Sequence, residues 1–122
     1  RNCALNQLDP RRYDIRTEDV RSYLNATQTR FDIVFCDPPS FSVSKRSKEG
    51  LFQVQKDAQT LIDACLRRLN ANGRLIFSTN YRPFNMATLD RPKRTQIKEI
   101  SAAMCDKDFQ GKWASRCWEI TQ

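Results

Sequence analysis

The stretch Phe31-Asp32-Ile33-Val34-Phe35-Cys36-Asp37-Pro38-Pro39-Ser40-Phe41 decides the fold, because it joins an apolar run to an abrupt stop. Residues 31–36 have the length and the β-branched and aromatic content of a buried strand. Pro38 and Pro39 remove two backbone donors and fix φ, so the strand ends before them. Asp37 is therefore left at the carboxyl end of the strand, and that end is where open α/β sheets bind ligands.

An amphipathic helix and a second apolar run complete a βαβ unit with this strand. Residues 52–70 place apolar side chains on one face of a helix, and Gly73 is expected to end that helix. Residues 75–79 predict a second buried strand. A helical crossover makes the two strands parallel, so the loops that follow them, 37–50 and 80–85, open at the same edge of the sheet. That edge is expected to gather these side chains around one cleft: Asp37, Phe41, Lys45, Arg46, Asn80, Tyr81 and Arg82.

The remaining sequence predicts shorter elements on both sides of this unit. Residues 1–8 are expected to be helical, 13–16 to form a short strand, and Asp19 to cap a short helix. Residues 96–100 and 117–120 predict an antiparallel hairpin that closes the sheet. Together these elements indicate an α/β fold in one domain, with a mostly parallel sheet and an antiparallel strand at its C-terminal end.

The composition limits the class of protein. With 122 residues the chain is at most one small domain, and no apolar run approaches the roughly 18 residues of a membrane span. The absence of histidine argues against histidine catalysis and, with five cysteines that lack C-x-x-C spacing, against a zinc site. Such cysteines favour a reducing cytoplasm. The net charge of +7 favours a polyanionic partner, nucleic acid first, although solubilising charge would have the same sign.

Each candidate residue of the cleft has a chemical interpretation and a structural alternative. Asp37 can accept a hydrogen bond from an exocyclic amine or orient a base or methyl donor, or it can simply cap a turn. Phe41 and Tyr81 can stack on a base or belong to the core. The basic residues suit phosphate contacts, or form a solvated loop. The catalytic candidates are Asp37, Pro38, Pro39 and Phe41, and the candidates for binding a nucleic acid are Lys45, Arg46, Asn80, Tyr81 and Arg82.

Two further features concern a nucleotide-type cofactor. Asp19 follows the first predicted strand and can read an adenine amino group as well as cap a helix. The glycines Gly50, Gly73 and Gly111 form no G-x-G pair after a strand, which is the loop that lets the backbone approach such a cofactor closely. The acidic residue that would hold a ribose is also missing.

Residues 37–46 closely resemble the motif D-P-P-T-F-S-N-S-K-R of the C-terminal methyltransferase domain of bifunctional bacterial 23S rRNA guanine methyltransferases (the RlmK half of RlmKL). Shorter matches occur in the same order over nearly the whole chain. They include Phe52-x-Val54-Gln55-x-Asp57, Phe77-Ser78-x-Asn80-x-Arg82-x-Phe84, Ile97-x-Glu99-Ile100-Ser101 and Cys117-Trp118-x-Ile120-Thr121. The ten-residue stretch is the specific part of the resemblance, and the other matches corroborate it.

The resemblance implies a Rossmann-like class I fold that binds S-adenosyl-L-methionine and methylates N7 of a guanine in 23S ribosomal RNA. By this match Asp19 would contact the adenine of the cofactor, and Asp37 would face the methyl donor and the base. Guanine N7 carries a free lone pair, so catalysis would rest on alignment rather than on a strong general base. Neither a membrane nor a metal is expected as a partner.

The resemblance also implies an incomplete cofactor pocket. Residues 1–122 would be the C-terminal portion of one methyltransferase domain, without its N-terminal glycine-rich loop. The missing N-terminal part of the same polypeptide, or a second copy of the chain, would be needed to complete the pocket.

Three other functions compete with this one. A 5-methylcytosine rRNA methyltransferase needs a cysteine nucleophile at the end of the second strand, where this chain has Ser78-Thr79-Asn80 instead. The interpretation as an enzyme that methylates N2 of guanine, or another amine, is also compatible with the sequence. The third alternative is a catalytically incomplete RNA-binding or structural fragment, which the missing glycine-rich loop favours.

Overall fold

The computed structural model describes residues 2–43, 51–91, 94–105 and 115–122. Within these ranges a four-stranded sheet, a two-stranded sheet and short helices alternate along the chain. The elements are α1 (Asn2–Leu5), a 3-10 turn (Pro10–Arg12), α2 (Val20–Ala26), β1 (Phe31–Cys36), β2 (Phe41–Val43), β3 (Leu51–Gln53), α3 (Val54–Leu66), β4 (Leu69–Thr79), a second 3-10 turn (Met86–Thr88), β5 (Gln96–Glu99), α4 (Ser101–Met104) and β6 (Arg116–Thr121).

The larger sheet is mixed. Its strand order is β1-β4-β6-β5, with β1 and β4 parallel and the other two described pairings antiparallel. The predicted βαβ unit and the predicted C-terminal hairpin are confirmed as β1-α3-β4 and β5-β6. The expectation of a mostly parallel sheet is wrong, because the hairpin contributes two antiparallel neighbours and the crossover contributes one parallel pair.

The strand predicted at residues 13–16 is also wrong. Tyr13 and Ile15 are exposed, and Arg16 forms ion pairs with Asp14 and Glu18. A strand needs a neighbour that satisfies its backbone groups, and no described strand lies beside this segment. The short helix expected after Asp19 is confirmed as α2.

Gly73 does not end a helix, as the sequence suggested. The helix stops earlier, at Leu66, and Gly73 lies inside β4. A side-chain carbon at Gly73 would stand 3.0 Å from the carbonyl oxygen of Asn70 and 3.1 Å from that of Phe31. The β1–β4 register shifts beside Phe31, and Asn72 has a φ of 63°. The glycine therefore permits a close backbone approach at an irregularity between two strands.

The loop predicted at 37–50 contains a strand that the sequence did not reveal. Strands β2 and β3 pair antiparallel, with Phe41 opposite Gln53 and Ser42 opposite Phe52. Each has three residues, too few for a period-2 pattern to be distinguished from a loop. This hairpin leads directly into α3, so the Asp37 loop is held between β1 and the helix.

The core lies on one face of the larger sheet. Helix α3 packs there, and Phe84 closes the core from the loop after β4, with ring centroids 5.6 Å from Phe77 and 5.4 Å from Trp118. The largest buried side chains include Leu61, Leu75, Phe77, Phe84, Trp118 and Ile120. Burial of each contributes about 1.5–3 kcal/mol, so this face provides most of the stabilising burial.

The opposite face of β1 is exposed in the described structure. Ile33 is 63% exposed and Phe35 is 62% exposed, whereas Val34 and Cys36 point to the core side.

Among the described helices, none has the length and apolar character needed to cross a bilayer.

Candidate active site

Two cavities flank the turn formed by Asp37, Pro38 and Pro39 at the carboxyl ends of β1 and β4. The first, about 330 Å³, extends from this turn toward α2 and α3, and the second, about 630 Å³, toward β4 and α4. The first is lined by Asp19, Val20, Arg21, Phe35, Cys36, Asp37, Pro38, Pro39, Ser42, Phe52 and Leu61. The second is lined by Phe35, Asp37, Pro38, Pro39, Ser78, Asn80, Met104, Ser115 and Cys117. The Asp37 turn is thus a wall that the two cavities share.

One carboxylate oxygen of Asp37 is fixed by the neighbouring strand. The Ser78 hydroxyl donates a hydrogen bond to Asp37 Oδ1. The parallel register pairs Cys36 with Phe77, which brings the next residue of each strand together. Ser78 is buried whereas Asp37 is exposed, so this hydrogen bond attaches an accessible carboxylate to the buried end of β4.

A second hydrogen bond joins the same two loops. Ser40 Oγ donates to Asn80 Oδ1 at 2.5 Å, and the Ser40 carbonyl oxygen accepts from the Val54 backbone N–H at 3.1 Å. The Asp37 turn is therefore attached both to the end of β4 and to the beginning of α3.

An acidic and a basic side chain, Asp19 and Arg21, lie close together in the first cavity. Asp19 caps α2, accepting from the backbone N–H groups of Arg21 and Ser22 at 3.0 Å each. The Arg21 guanidinium lies 3.8 Å from Asp19 Oδ2 and 5.9 Å from the centroid of the Phe52 ring. The cavity wall thus combines hydrogen-bonding groups with an aromatic surface, a combination typical of sites for a mixed polar and apolar ligand.

The thiol pKa values of the two cysteines at the cavities, Cys36 and Cys117, are raised. Hydrogen bonding to Cys65, then burial, raises the pKa of Cys36, and the charge of Asp37 adds to the effect. Burial, followed by the Asp37 charge, raises the pKa of Cys117. A protonated thiol is a weak nucleophile. Neither cysteine is prepared for the covalent attack that a 5-methylcytosine enzyme requires.

The predicted site residues divide into three groups. Asp19 and the Asp37 turn line the first cavity, and Asp37 and Asn80 line the second. Phe41, Tyr81 and Arg82 are exposed and line neither cavity. Lys45 and Arg46 lie outside the described residues.

Several cavity residues were missed by sequence reasoning. Ser78 ends a predicted strand, and its position opposite Asp37 would have followed from the parallel register alone. Arg21, Phe52 and Met104 have no local signal, because they reach the cavities from helices and a hairpin that pack there only in the folded chain. Across the described ranges, no group of three or more histidine, cysteine or acidic residues is arranged to hold a metal.

Known proteins similar to this chain are ribosomal RNA methyltransferases. The ribosomal RNA large subunit methyltransferase K/L of Marinobacter nauticus is 40% identical over an alignment of 125 positions, which covers 98% of this chain and 17% of that protein. The ribosomal RNA large subunit methyltransferase K of Neisseria meningitidis serogroup B is 38% identical over 123 residues, covering 98% of this chain and 34% of that protein. The chain therefore spans about a third or less of the length of these curated relatives. No protein-family model matches it.

Solved structures share the fold. The structure of SMU.776, a proposed methyltransferase complexed with SAH, superimposes with a TM-score of 0.73 at 21% identity. The match covers 98% of this chain and 34% of the SMU.776 chain. A proposed SAM-dependent methyltransferase from Streptococcus mutans gives a TM-score of 0.71 at 22% identity. The resemblance carried by residues 37–46 is confirmed: over nearly its whole length the chain is homologous to one segment of the ribosomal RNA large subunit methyltransferases K and K/L.

Proposed function

We propose that this chain is the C-terminal portion of an S-adenosyl-L-methionine-dependent methyltransferase domain that acts on N7 of a guanine in 23S ribosomal RNA. The observation that carries the proposal is the Asp37 turn, which forms the common wall of two cavities at the carboxyl ends of parallel β1 and β4. This arrangement suits methyl transfer, because in-line displacement places the acceptor atom and the sulfur of the donor on opposite sides of the methyl carbon.

The first cavity is the proposed cofactor side. Asp19 would accept from the adenine amino group, and Asp37 would face the reacting part of the cofactor. The residues present fit such a ligand in part, since they combine two carboxylates with the apolar surfaces of Val20, Phe35 and Leu61. A pocket that lacks a glycine-rich loop is incomplete, and the N-terminal part of the same polypeptide would supply it; a second copy is the alternative.

The second cavity is the proposed base side. S-adenosyl-L-methionine, when bound, supplies a methyl group on a positively charged sulfur. The chain's own task is to hold guanine N7 in line with that methyl group and to exclude water. No proton acceptor is required, because N7 attacks with a free lone pair. Pro38 and Pro39 suit the task because their fixed φ keeps the shared wall rigid.

RNA is the proposed macromolecular partner, and the cytoplasm the proposed compartment. The relatives named above are described as acting on large-subunit ribosomal RNA, and the net charge of +7 suits a polyanion. Lys45, Arg46 and Arg82 would contact phosphates. The exposed rings of Phe41 and Tyr81 would stack on bases, each contributing about 1–3 kcal/mol.

Replacing Asp37 tests the catalytic part of the proposal. In the full-length protein that carries this chain, Asp37→Ala is expected to abolish most transfer of labelled methyl groups to unmethylated 23S rRNA. The matched control is Asp32→Ala, which removes an aspartate from the same chain segment but from neither cavity. Normal activity of Asp37→Ala, or equal losses in both variants, would contradict the assignment.

Calorimetric titration of S-adenosyl-L-methionine tests the cofactor part. The chain by itself is expected not to bind, whereas the longer polypeptide binds at micromolar strength. Binding by the chain with a dimer as the binding species would point to a second copy. If neither form binds, the RNA-binding or structural fragment becomes the better description.

A second candidate differs only in the atom that receives the methyl group. Asp37 keeps one oxygen not used by Ser78, and a carboxylate can accept a hydrogen bond from an amino group such as N2 of guanine. Mass spectrometry of the nucleosides separates N7-methylguanosine from N2-methylguanosine and decides between the two.

A further inference from the structure

Two serine hydroxyls connect the loops at the second cavity in opposite directions. Ser78 of β4 donates to Asp37 in the loop after β1, and Ser40 in that loop donates to Asn80 after β4. Each hydrogen bond therefore joins the loop after β1 to the end of β4, once with the donor on β4 and once with the donor on the loop. Such a reciprocal pair links the loop after β1 to the end of β4 at two points.

Each hydrogen bond determines which atoms of the acceptor side chain remain. Asp37 engages Oδ1 and keeps Oδ2, a second acceptor. Asn80 engages its single side-chain oxygen and keeps an NH₂ group with two donors. Because Asn80 Oδ1 accepts from Ser40, the NH₂ group is the end of the amide that stays available to a ligand. Asn80 and Asp37 both line the second cavity, so its wall contains an amide with donors and a carboxylate that accepts.

We propose that Asn80 is the residue that selects guanine, by donating a hydrogen bond from its amide to guanine O6, and that Ser40 and Ser78 are positioning residues. This inference rests on the proposed function. At the edge that carries N7, guanine offers two acceptors, N7 and O6, whereas adenine offers N7 and an N6 amino donor. A fixed amide donor matches guanine and opposes adenine at that edge.

The carboxylate of Asp37 cannot perform this selection. It only accepts hydrogen bonds, and guanine presents no donor at the N7 edge. The neighbouring amide supplies the donor, and the Ser40 hydrogen bond to the amide oxygen holds Asn80 to the loop after β1. Selection therefore depends on Ser40 as well as on Asn80.

The test uses the full-length protein that carries this chain and a synthetic RNA hairpin around the guanine mapped in the wild-type product. Asn80→Asp keeps the size of the side chain and can still accept from Ser40, but it has no donor. We expect kcat/KM for RNA to fall about 5- to 150-fold, with unchanged affinity for S-adenosyl-L-methionine. The matched control is Asn85→Asp, because Asn85 lines neither cavity and caps the next turn through an oxygen that aspartate retains.

A substrate change tests the same contact without a mutation. In a hairpin with 6-thioguanosine at the target, sulfur replaces O6 and accepts hydrogen bonds more weakly. The wild-type rate should fall, whereas Asn80→Ala should be insensitive to the sulfur. Ser40→Ala should lower the rate but add no loss to Asn80→Ala, since both act through one contact, and Ser40→Thr should restore it.

The results separate failure of this inference from failure of the proposed function. An active wild type with full activity in Asn80→Asp, or with no response to 6-thioguanosine, overturns the role of Asn80 alone. Equal losses in Asn80→Asp and Asn85→Asp do the same. No methyl transfer by the wild type rejects the proposed function and this inference together.

Discussion

Replacing Phe84 with alanine is expected to destabilise the chain by about 3–5 kcal/mol, the usual cost of removing a fully buried phenylalanine. Phe84 is 1% exposed, and its ring packs between Phe77 and Trp118 at 5.6 and 5.4 Å. It anchors the loop after β4, so the substitution leaves a cavity at the centre of the core. A loss of this size is a large fraction of the roughly 5–15 kcal/mol that stabilises a typical domain.

Urea denaturation followed by tryptophan fluorescence measures the effect. With a denaturant slope of about 1.5 kcal/mol/M, the midpoint should fall by about 2–3 M. Phe41→Ala is the matched control, because Phe41 is 58% exposed and its loss should change stability by no more than about 0.5 kcal/mol. If Phe84→Ala does not fold, Phe84→Leu should still show a loss of about 1–2 kcal/mol. Equal midpoints for Phe84→Ala and Phe41→Ala would refute the described core.

Three further predictions concern single features of the fold and site. Gly73→Ala should lower the free energy of unfolding by about 1–3 kcal/mol, since the new carbon would press on backbone oxygens 3.0 and 3.1 Å away; an unchanged urea midpoint would contradict the close approach. Hydrogen bonding to Arg116 lowers the pKa of Glu99 below its ordinary value of 4.5, so this pair stabilises the fold above that pH and its contribution is lost as the pH falls through the lowered pKa. Glu99→Gln should therefore flatten the acid limb of a stability profile, and an identical limb in the variant would exclude the pair as its cause. Because the pKa values of Cys36 and Cys117 are raised, both should react with iodoacetamide at pH 8 more slowly than glutathione does, as measured by peptide mass spectrometry; faster reaction would mean that the thiols are ionised.

The sequence predicted the elements whose signal is local. The apolar run 31–36, the helical face of α3 and the alternating C-terminal segments each lie in one continuous stretch. All three elements form, although α3 covers Val54–Leu66 rather than the predicted 52–70 because β3 and β4 occupy its expected ends. Asp37 could be placed at a ligand-binding edge because prolines end its strand. The prediction of a strand at 13–16 was wrong because a strand needs a neighbouring strand, and no local pattern reveals whether one is present.

Sequence by itself determined which side chains the two loops carry, and a specific stretch at 37–46 indicated the homologous enzymes. Tertiary structure alone decided how those side chains are used. The parallel register brings Ser78 to Asp37 across 41 positions of sequence, and the turn brings Ser40 to Asn80 across 40. The tertiary structure also places Gly73 at an irregularity between two strands, whereas the sequence predicted it at the end of a helix. The physical reason is that these contacts depend on distance and direction between separate strands, and periodicity along the chain carries no information about either.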